Sequence, residues 1–126
     1  MRLLLDTHVL IWYLEGDKTL SPHYRQAIVN ANNDVLVSVA SLWEIAIKIN
    51  IGKLKISGSL SDVFQQLKNQ TIHLLSIKPG HILQSASLPL HHRDPFDRMI
   101  IAQSQVEFLT VVSVDPAFSK YGTKLL

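Results

Sequence analysis

Four acidic residues stand where strands are expected to end or helices to begin. Asp6 closes the first apolar run of the chain, and Asp115 closes the last one. Glu44 and Asp97 fall in the first turns of two helical patterns. The carboxyl ends of parallel strands share one edge of a sheet, and helices begin close to that edge. We therefore expect the four carboxylates to converge there.

Carboxylates gathered in one place favour a divalent cation. Like charges within a few ångströms raise one another's pKa, and a bound cation removes that repulsion. Magnesium takes oxygen ligands and is commonly held by one or two carboxylates together with substrate phosphates. Two ions roughly 4 Å apart clamp both oxygens of a displacement at phosphorus, whereas one ion still activates a water. The residues therefore indicate phosphodiester hydrolysis with Mg²⁺ or Mn²⁺.

Most of these acids also have a purely structural interpretation. Glu44 completes a predicted capping box with Ser41 and stands four residues before Lys48, with which it could pair. Asp97 suits the dipole at the start of its helix, and Asp115 suits a turn cap. Taken one at a time, these interpretations compete well. They do not explain why the acids are expected at one edge of the sheet.

Asp6 is the acid that a structural role explains least. It ends an apolar strand without a basic neighbour, and a buried carboxylate there needs a function or a partner. Asp94 precedes Pro95 and is expected to cap a helix, with metal binding as a second interpretation. The adjacent His91 and His92 lack the His-x-x-x-His spacing of a zinc site, so a solvated loop is predicted for them.

The alternation of apolar patterns predicts how these residues are positioned. Strands are expected at residues 2–6, 35–39, 71–77 and 109–114, with helical periods between them. Several of the patterns are apolar throughout, which indicates elements covered on more than one side. The fold class is therefore α/β, with a central parallel sheet flanked by helices on both faces.

One helical pattern, at residues 42–51, is apolar around most of its circumference. Glu44 and Lys48 alone keep a polar face, so this helix is expected to be enclosed on several sides. Trp43 on this helix, and Trp12 and Tyr13 in the first helical segment, are expected in the core or between subunits rather than in base stacking.

Composition limits the class of protein. The chain has 126 residues, of which 47% are hydrophobic and 17% charged, and this predicts one domain spanning residues 1–126. Cysteine is absent, so any metal is held by oxygen or imidazole. No apolar run reaches membrane-spanning length, and a cytoplasmic protein is expected. The net charge is +2, and drawing four acids into one site would leave a surface that favours a polyanion.

Four stretches of the chain resemble the motifs of PIN-domain proteins, and specifically the VapC-type toxins of bacterial toxin–antitoxin modules. They read LDTH at residues 5–8, SLWEIAIK at 41–48, HHRDPFDRMIIAQ at 91–103 and SVD at 113–115. Their order and spacing match over essentially the whole chain, and the third stretch is the most specific.

This resemblance implies a PIN domain in which Asp6, Glu44, Asp97 and Asp115 form a catalytic quartet that binds Mg²⁺ or Mn²⁺. Asp94 is an additional acid close to that pattern, and Thr7 and Ser113 are candidates for supporting the metal ligands. The resemblance further implies a ribonuclease that acts on RNA as the toxin of its module. A small antitoxin would hold it inactive, and a homodimer or higher assembly is expected.

Two other functions remain open at this point. A phosphatase or phosphotransferase could use Asp6 as its nucleophile, although Asp6-Thr7-His8 offers no second acid two residues on. A catalytically inactive PIN-like scaffold could receive a basic side chain of a partner in the acidic pocket. Neither alternative explains all four acids. Partner contacts are expected on the first helix and on the apolar stripe of the predicted helix at residues 60–67.

Overall fold

Four parallel strands form the centre of the structure, a computed structural model that describes residues 1–126. The strands are β1 (Arg2–Leu5), β2 (Asp34–Ser38), β3 (His73–Leu75) and β4 (Thr110–Val112). Their order across the sheet is β3-β2-β1-β4, and every neighbouring pair is parallel. The central strand β1 therefore lies between β2 and β4, and the carboxyl ends of all four strands face the same edge.

Helices fill the connections between the strands. They are α1 (Thr7–Glu15), α2 (Pro22–Val29), α3 (Val39–Asn50), α4 (Leu60–Asn69), α5 (Pro79–Ser87), α6 (Pro95–Glu107) and a 3-10 helix (Pro116–Tyr121). None of them combines the length and the apolar composition needed to cross a membrane.

The two faces of the sheet carry separate apolar clusters because successive strand residues point to opposite sides. Leu3 and Leu5 belong to the cluster that α1, α2, α3 and α4 cover. Leu4 and Val111 belong to the other cluster, which Ile100 of α6 and Phe118 of the 3-10 helix complete. Each fully buried side chain of this size stabilises the fold by about 1.5–3 kcal/mol. The prediction of a parallel sheet with helices on both faces is confirmed.

The helix after β2 begins earlier than predicted. Ser38, the last residue of β2, is the N-cap, and its hydroxyl accepts a hydrogen bond from the backbone N–H of Ala40 at 3.0 Å. Ser41 is buried inside the helix, so the predicted capping box of Ser41 and Glu44 is wrong. Because the helix starts at Val39, Glu44 lies in its second turn rather than its first.

The same helix is less enclosed than predicted. Leu42 and Ile45 are buried, but the side chain of Trp43 is 62% exposed and Ile51 is also exposed. The ring of Trp43 contacts Phe96 edge-on, with 5.5 Å between ring centroids. An apolar pattern on all sides therefore does not bury this helix on all sides within one copy of the chain.

Two strands are shorter than predicted. The pairing of β1 with β4 ends at Leu5 and Val112, and the last backbone bond runs from the N–H of Asp6 to the carbonyl of Val112 at 3.1 Å. The chain turns into α1 directly after Asp6, so the residues beyond Val112 have no strand beside them. The third strand is an edge strand of three residues that pairs with β2 alone.

Candidate metal centre

Asp6 joins the central strand to the first helix. It is the N-cap of α1, where its Oδ1 accepts from the N–H of Val9 at 2.8 Å and its Oδ2 accepts from the hydroxyl of Ser113. The residue is only 2% exposed. Burial raises the pKa of the Asp6 carboxyl, the nearby charge of Asp115 raises it further, and the two hydrogen bonds oppose the rise.

Glu44 projects from the second turn of α3 and is 4% exposed. Its Oε2 accepts from the Nζ of Lys48 at 2.7 Å, which confirms the expected pair four residues apart. Its Oε1 is buried and has no hydrogen-bond partner. A buried carboxylate oxygen without a partner is unfavourable, and a cation is a group that would satisfy it.

Asp97 lies in the first turn of α6, as predicted. Its Oδ2 is 2.7 Å from Nε2 of His92. Burial is the main cause that raises the pKa of Asp97 to about 6, and the negative charges of Asp94 and Glu44 add to the rise, while His92 opposes it. The carboxylates of α3 and α6 are therefore close enough to affect each other.

Asp115 follows β4 in the turn that leads to the 3-10 helix. The prediction that it ends the strand is wrong, because β4 stops at Val112. Oδ1 of Asp115 accepts from the N–H of Ala117 at 2.9 Å and caps the 3-10 helix, and Oδ2 is 3.6 Å from Nε2 of His92. The expected turn-capping role is confirmed, and one oxygen still faces the site.

Electrostatics and contacts connect the four acids at the carboxyl edge of the sheet. Asp115 lies close enough to Asp6 to raise its pKa, and Glu44 does the same to Asp97. Three possible ligand atoms lie within 4.8 Å of one another, one each from His92, Asp97 and Asp115. The sequence predicted this grouping of acids, although it did not include the histidine.

His92 corrects the prediction of a solvated loop. Its side chain is 23% exposed and contacts Asp97 and Asp115, whereas His91 is exposed and packs edge-on against Tyr121. His92 precedes α6, and its ring contacts Asp97 in the first turn of that helix, five residues on. Spacing rules for helical zinc sites do not detect a histidine that lies outside the helix.

The two predicted supporting residues behave differently. Ser113 donates to Asp6 and accepts from the N–H of Asp115 at 3.0 Å, so one hydroxyl connects two acids. Thr7 instead donates to the hydroxyl of Ser41 at 3.0 Å, deep between α1 and α3. Its hydrogen bond holds two helices together and does not orient a carboxylate of the site.

Asp94 caps α6 as expected. Its Oδ1 accepts from the N–H groups of Phe96 at 2.9 Å and Asp97 at 3.0 Å. This bond fixes the first turn of the helix, and with it the backbone of Asp97. The charge of Asp94 also contributes to the raised pKa values of Asp97 and Lys48.

A clamp that was not predicted from the sequence fixes the loop before α6. The guanidinium of Arg98 donates to four backbone carbonyls, at 2.8–3.3 Å, which belong to Ser85, Leu88, Pro89 and His92. The hydroxyl of Tyr121 accepts from the N–H of His92 at 2.7 Å. Sequence alone shows a basic residue near the acids, but it does not show that Arg98 holds a backbone loop.

The donor set fits a hard or borderline divalent cation. The atoms that lie together are carboxylate oxygens of Asp97 and Asp115 and one imidazole nitrogen, the carboxylates of Asp6 and Glu44 are close enough to affect them, and the chain has no thiolate. The unpartnered Oε1 of Glu44 is the observation that a protein-only arrangement explains least.

Comparison with known proteins identifies the family of the chain. The family model of the PIN domain matches residues 3–124, and the chain belongs to the PIN-domain family. PIN domains are typically nucleases that use divalent metal ions. No curated protein sequence matches the chain significantly.

Solved structures share the whole fold at low sequence identity. VapBC2 from Rickettsia felis, bound to a DNA fragment from its promoter, superposes with a TM-score of 0.73 at 14% identity, over 100% of this chain and 97% of that chain. FitAB bound to an IR36 DNA fragment gives 0.68 at 18% identity, over 98% and 93%. VapBC-1 from nontypeable Haemophilus influenzae gives 0.67 at 14% identity, over 100% and 97%.

Proposed function

We propose that this protein is a metal-dependent endoribonuclease and the toxin of a toxin–antitoxin module. The observation that supports it best is the grouping of two buried acids, Asp6 and Glu44, with two partly exposed ones at the carboxyl edge of a PIN-domain sheet, with the pKa values of Asp6 and Asp97 both raised. Perturbed carboxylates that share a cleft are typical of catalytic sites.

Asp6, Glu44, Asp97 and Asp115 would hold Mg²⁺ or Mn²⁺. When bound, such an ion supplies an activated water and stabilises the charge that develops on the phosphate. Ser113 orients the carboxylate of Asp6 by its hydrogen bond. The role of the protein is then to hold the carboxylate oxygens in place after β1 and β4 and in the first two turns of α3 and α6.

Lys48 is the basic side chain best placed to meet RNA at this site. Its pairing with Glu44 holds the pKa of the ammonium above its ordinary value, and Asp94 and Asp97 contribute. Its side chain is 36% exposed, so one side remains open to solvent. A phosphate at the acids would therefore find one fixed positive charge beside it.

An antitoxin is the partner that the fold and the sequence resemblance support. Several structural neighbours are the toxin–antitoxin complexes VapBC and FitAB. On the predicted stripe of α4, Val63 and Leu67 are buried in the chain's own core and Phe64 remains exposed. The surface of α4 available to a partner is therefore smaller than the sequence stripe suggested.

A second copy of the chain is a further expected partner, and the surface beside Trp43 supports it better than the surface of α4 does. Trp43, Phe96 and Met99 line an apolar cleft of about 230 Å³ beside the acids, and Trp43 is 62% exposed. Exposed apolar side chains gathered in this way are typical of an interface. We assign this surface, which we call the α3–α6 surface, to a homodimer.

The phosphatase alternative has less support. Both oxygens of Asp6 accept hydrogen bonds from the protein, and the side chain is almost fully buried. A carboxylate oxygen that accepts one hydrogen bond keeps a second lone pair for a cation, whereas a nucleophilic oxygen must itself reach the phosphorus. The inactive scaffold has less support because all four acids of the quartet are present.

Expression in a bacterium tests the proposal directly. Induction of the wild-type chain should stop growth and degrade RNA, and Asp6→Asn should do neither, because Asn retains the cap of α1 but loses the charge. Asp34→Asn is the matched control, since this exposed acid lies at the opposite edge of the sheet. Normal growth with intact RNA during accumulation of folded wild-type protein would contradict the proposal.

A further inference from the structure

His92 lies between two of the proposed ligands but is not part of the acidic quartet. Its Nε2 is 2.7 Å from Oδ2 of Asp97 and 3.6 Å from Oδ2 of Asp115. One nitrogen and two carboxylate oxygens thus face one another across a small space.

The position of this imidazole is fixed by the loop clamp described above. Tyr121 accepts from the N–H of His92, and Arg98 donates to its carbonyl at 3.3 Å. The backbone on both sides of the side chain is therefore held by hydrogen bonds. A histidine of a freely solvated loop would have no such support.

The distances from Nε2 of His92 to the two carboxylate oxygens are close to those between neighbouring ligands of one ion. Octahedral ligands with bonds of about 2.1 Å lie about 3 Å apart, and the two distances from Nε2 fall on either side of that value. One ion could then bind all three atoms after small side-chain rotations. The backbone that carries the two carboxylates would not need to move.

We propose that Nε2 of His92 is a nitrogen ligand of the ion bound by this site, together with Asp97 and Asp115. The proposal rests on the proposed function, because it takes the acidic quartet as the metal centre. Magnesium prefers oxygen ligands, whereas imidazole suits divalent transition ions. His92 therefore makes the site selective for a divalent transition ion over Mg²⁺.

Pulsed electron paramagnetic resonance of the purified protein loaded with Mn²⁺ tests this without any activity measurement. The wild type should show hyperfine coupling to a directly bound nitrogen, and histidine labelled with a nitrogen isotope should change that coupling. His92→Gln should abolish it. His91→Gln is the matched control, and His8→Gln excludes the other histidine near Asp6; both should retain the coupling.

Calorimetric titration adds a second readout. His92→Gln should weaken Mn²⁺ binding by about tenfold or more, the effect expected when a group that holds a metal is lost, and should weaken Mg²⁺ binding less. Tight Mn²⁺ binding without nitrogen coupling would overturn the role of His92 and leave the nuclease intact. Nitrogen coupling in a protein that cleaves no RNA would overturn the nuclease and leave the role of His92 intact.

Discussion

The ionised forms of Asp6 and Asp97 are destabilised by their surroundings. Burial raises the pKa of Asp97 to about 6 and also raises the pKa of Asp6. An acid with a raised pKa binds its proton more tightly in the folded than in the unfolded chain. Its contribution to stability is therefore most favourable in acid, falls as the pH rises from about 4 to about 6, and stays low above that range.

Substitution of these acids should consequently stabilise the protein when metal is removed. At pH 7 in chelator, Asp97→Asn and Asp6→Asn should melt a few degrees above the wild type, on the order of 1 kcal/mol. The hydrogen bond from His92 to Asp97 offsets part of the gain. Thermal unfolding across pH 4–7 measures this, and the difference should shrink towards pH 4.

The exposed acid Asp34 provides the comparison, since Asp34→Asn should leave the melting temperature nearly unchanged at every pH. Added Mn²⁺ should raise the melting temperature of the wild type by mass action, and that of the two site variants much less. Lower melting temperatures for both site variants in chelator would show that these acids are ordinary structural partners.

The sequence predicted the positions of single residues correctly where the pattern that locates them is local in the chain. The helix-start position of Asp97 and the cap at Asp94 are visible in the sequence. So is the place of Asp6 between the first strand and the first helix, although β1 ends one residue earlier than predicted, at Leu5. The contacts of His92 and Arg98 involve the loop before α6, and their partners are five and nine residues away rather than at helical spacing. No periodic pattern could have located them.

Among the elements, the loop of residues 88–94 connects α5 to α6, and its first five residues, 88–92, end at the histidine. Tyr121→Phe removes the hydroxyl that accepts from His92 and that also contacts Arg98. We expect a loss of about 1 kcal/mol of stability and faster amide hydrogen exchange in this loop. Exchange measured by mass spectrometry tests both the size and the location of the effect.

Tyr13→Phe is the matched control for that variant. The hydroxyl of Tyr13 donates to Gln70, far from the loop in the fold, and its removal should leave exchange at residues 88–92 unchanged. If Tyr121→Phe exchanges there at the wild-type rate, the clamp does not depend on this hydroxyl.

The presence of the strands and helices was easier to predict than the residues at which they begin and end. The alternation of apolar runs is set by burial along the chain, and it predicted the strands and most helices. The start of α3 was missed because Ser38 and Ser41 are both good caps in isolation. The contact of Ser41 with Thr7 and the end of β2 at Ser38 decide between them, and both are tertiary features.

At the scale of the whole molecule, the PIN fold is retained at identities of 14–18% to solved structures. Two apolar clusters on opposite faces of one sheet account for this tolerance, because many apolar side chains can fill them. The four motifs were sufficient to predict the family. The packing that leaves Trp43 exposed was not predictable, since it depends on how far neighbouring elements extend over α3.

The exposed apolar surface beside the acids leads to a prediction about assembly. Trp43→Ser should convert a dimer to a monomer, because it removes the largest exposed apolar side chain of the α3–α6 surface. Phe108→Ser is the matched control, since Phe108 is 90% exposed at the opposite end of α6. Light scattering after size-exclusion chromatography measures both. An unchanged dimer in Trp43→Ser would exclude this surface as the interface.

The acidic quartet is expected to support RNA cleavage through a bound divalent ion. The most direct test of this expectation is the cleavage rate of the purified protein on single-stranded RNA, with Mn²⁺ or Mg²⁺ and with excess chelator. We predict cleavage with the ion, none with chelator, and at least a hundredfold loss in folded Asp97→Asn and Asp115→Asn, a size typical for loss of a main electrostatic contributor. Equal rates with and without chelator, or wild-type rates in both variants, would contradict the account.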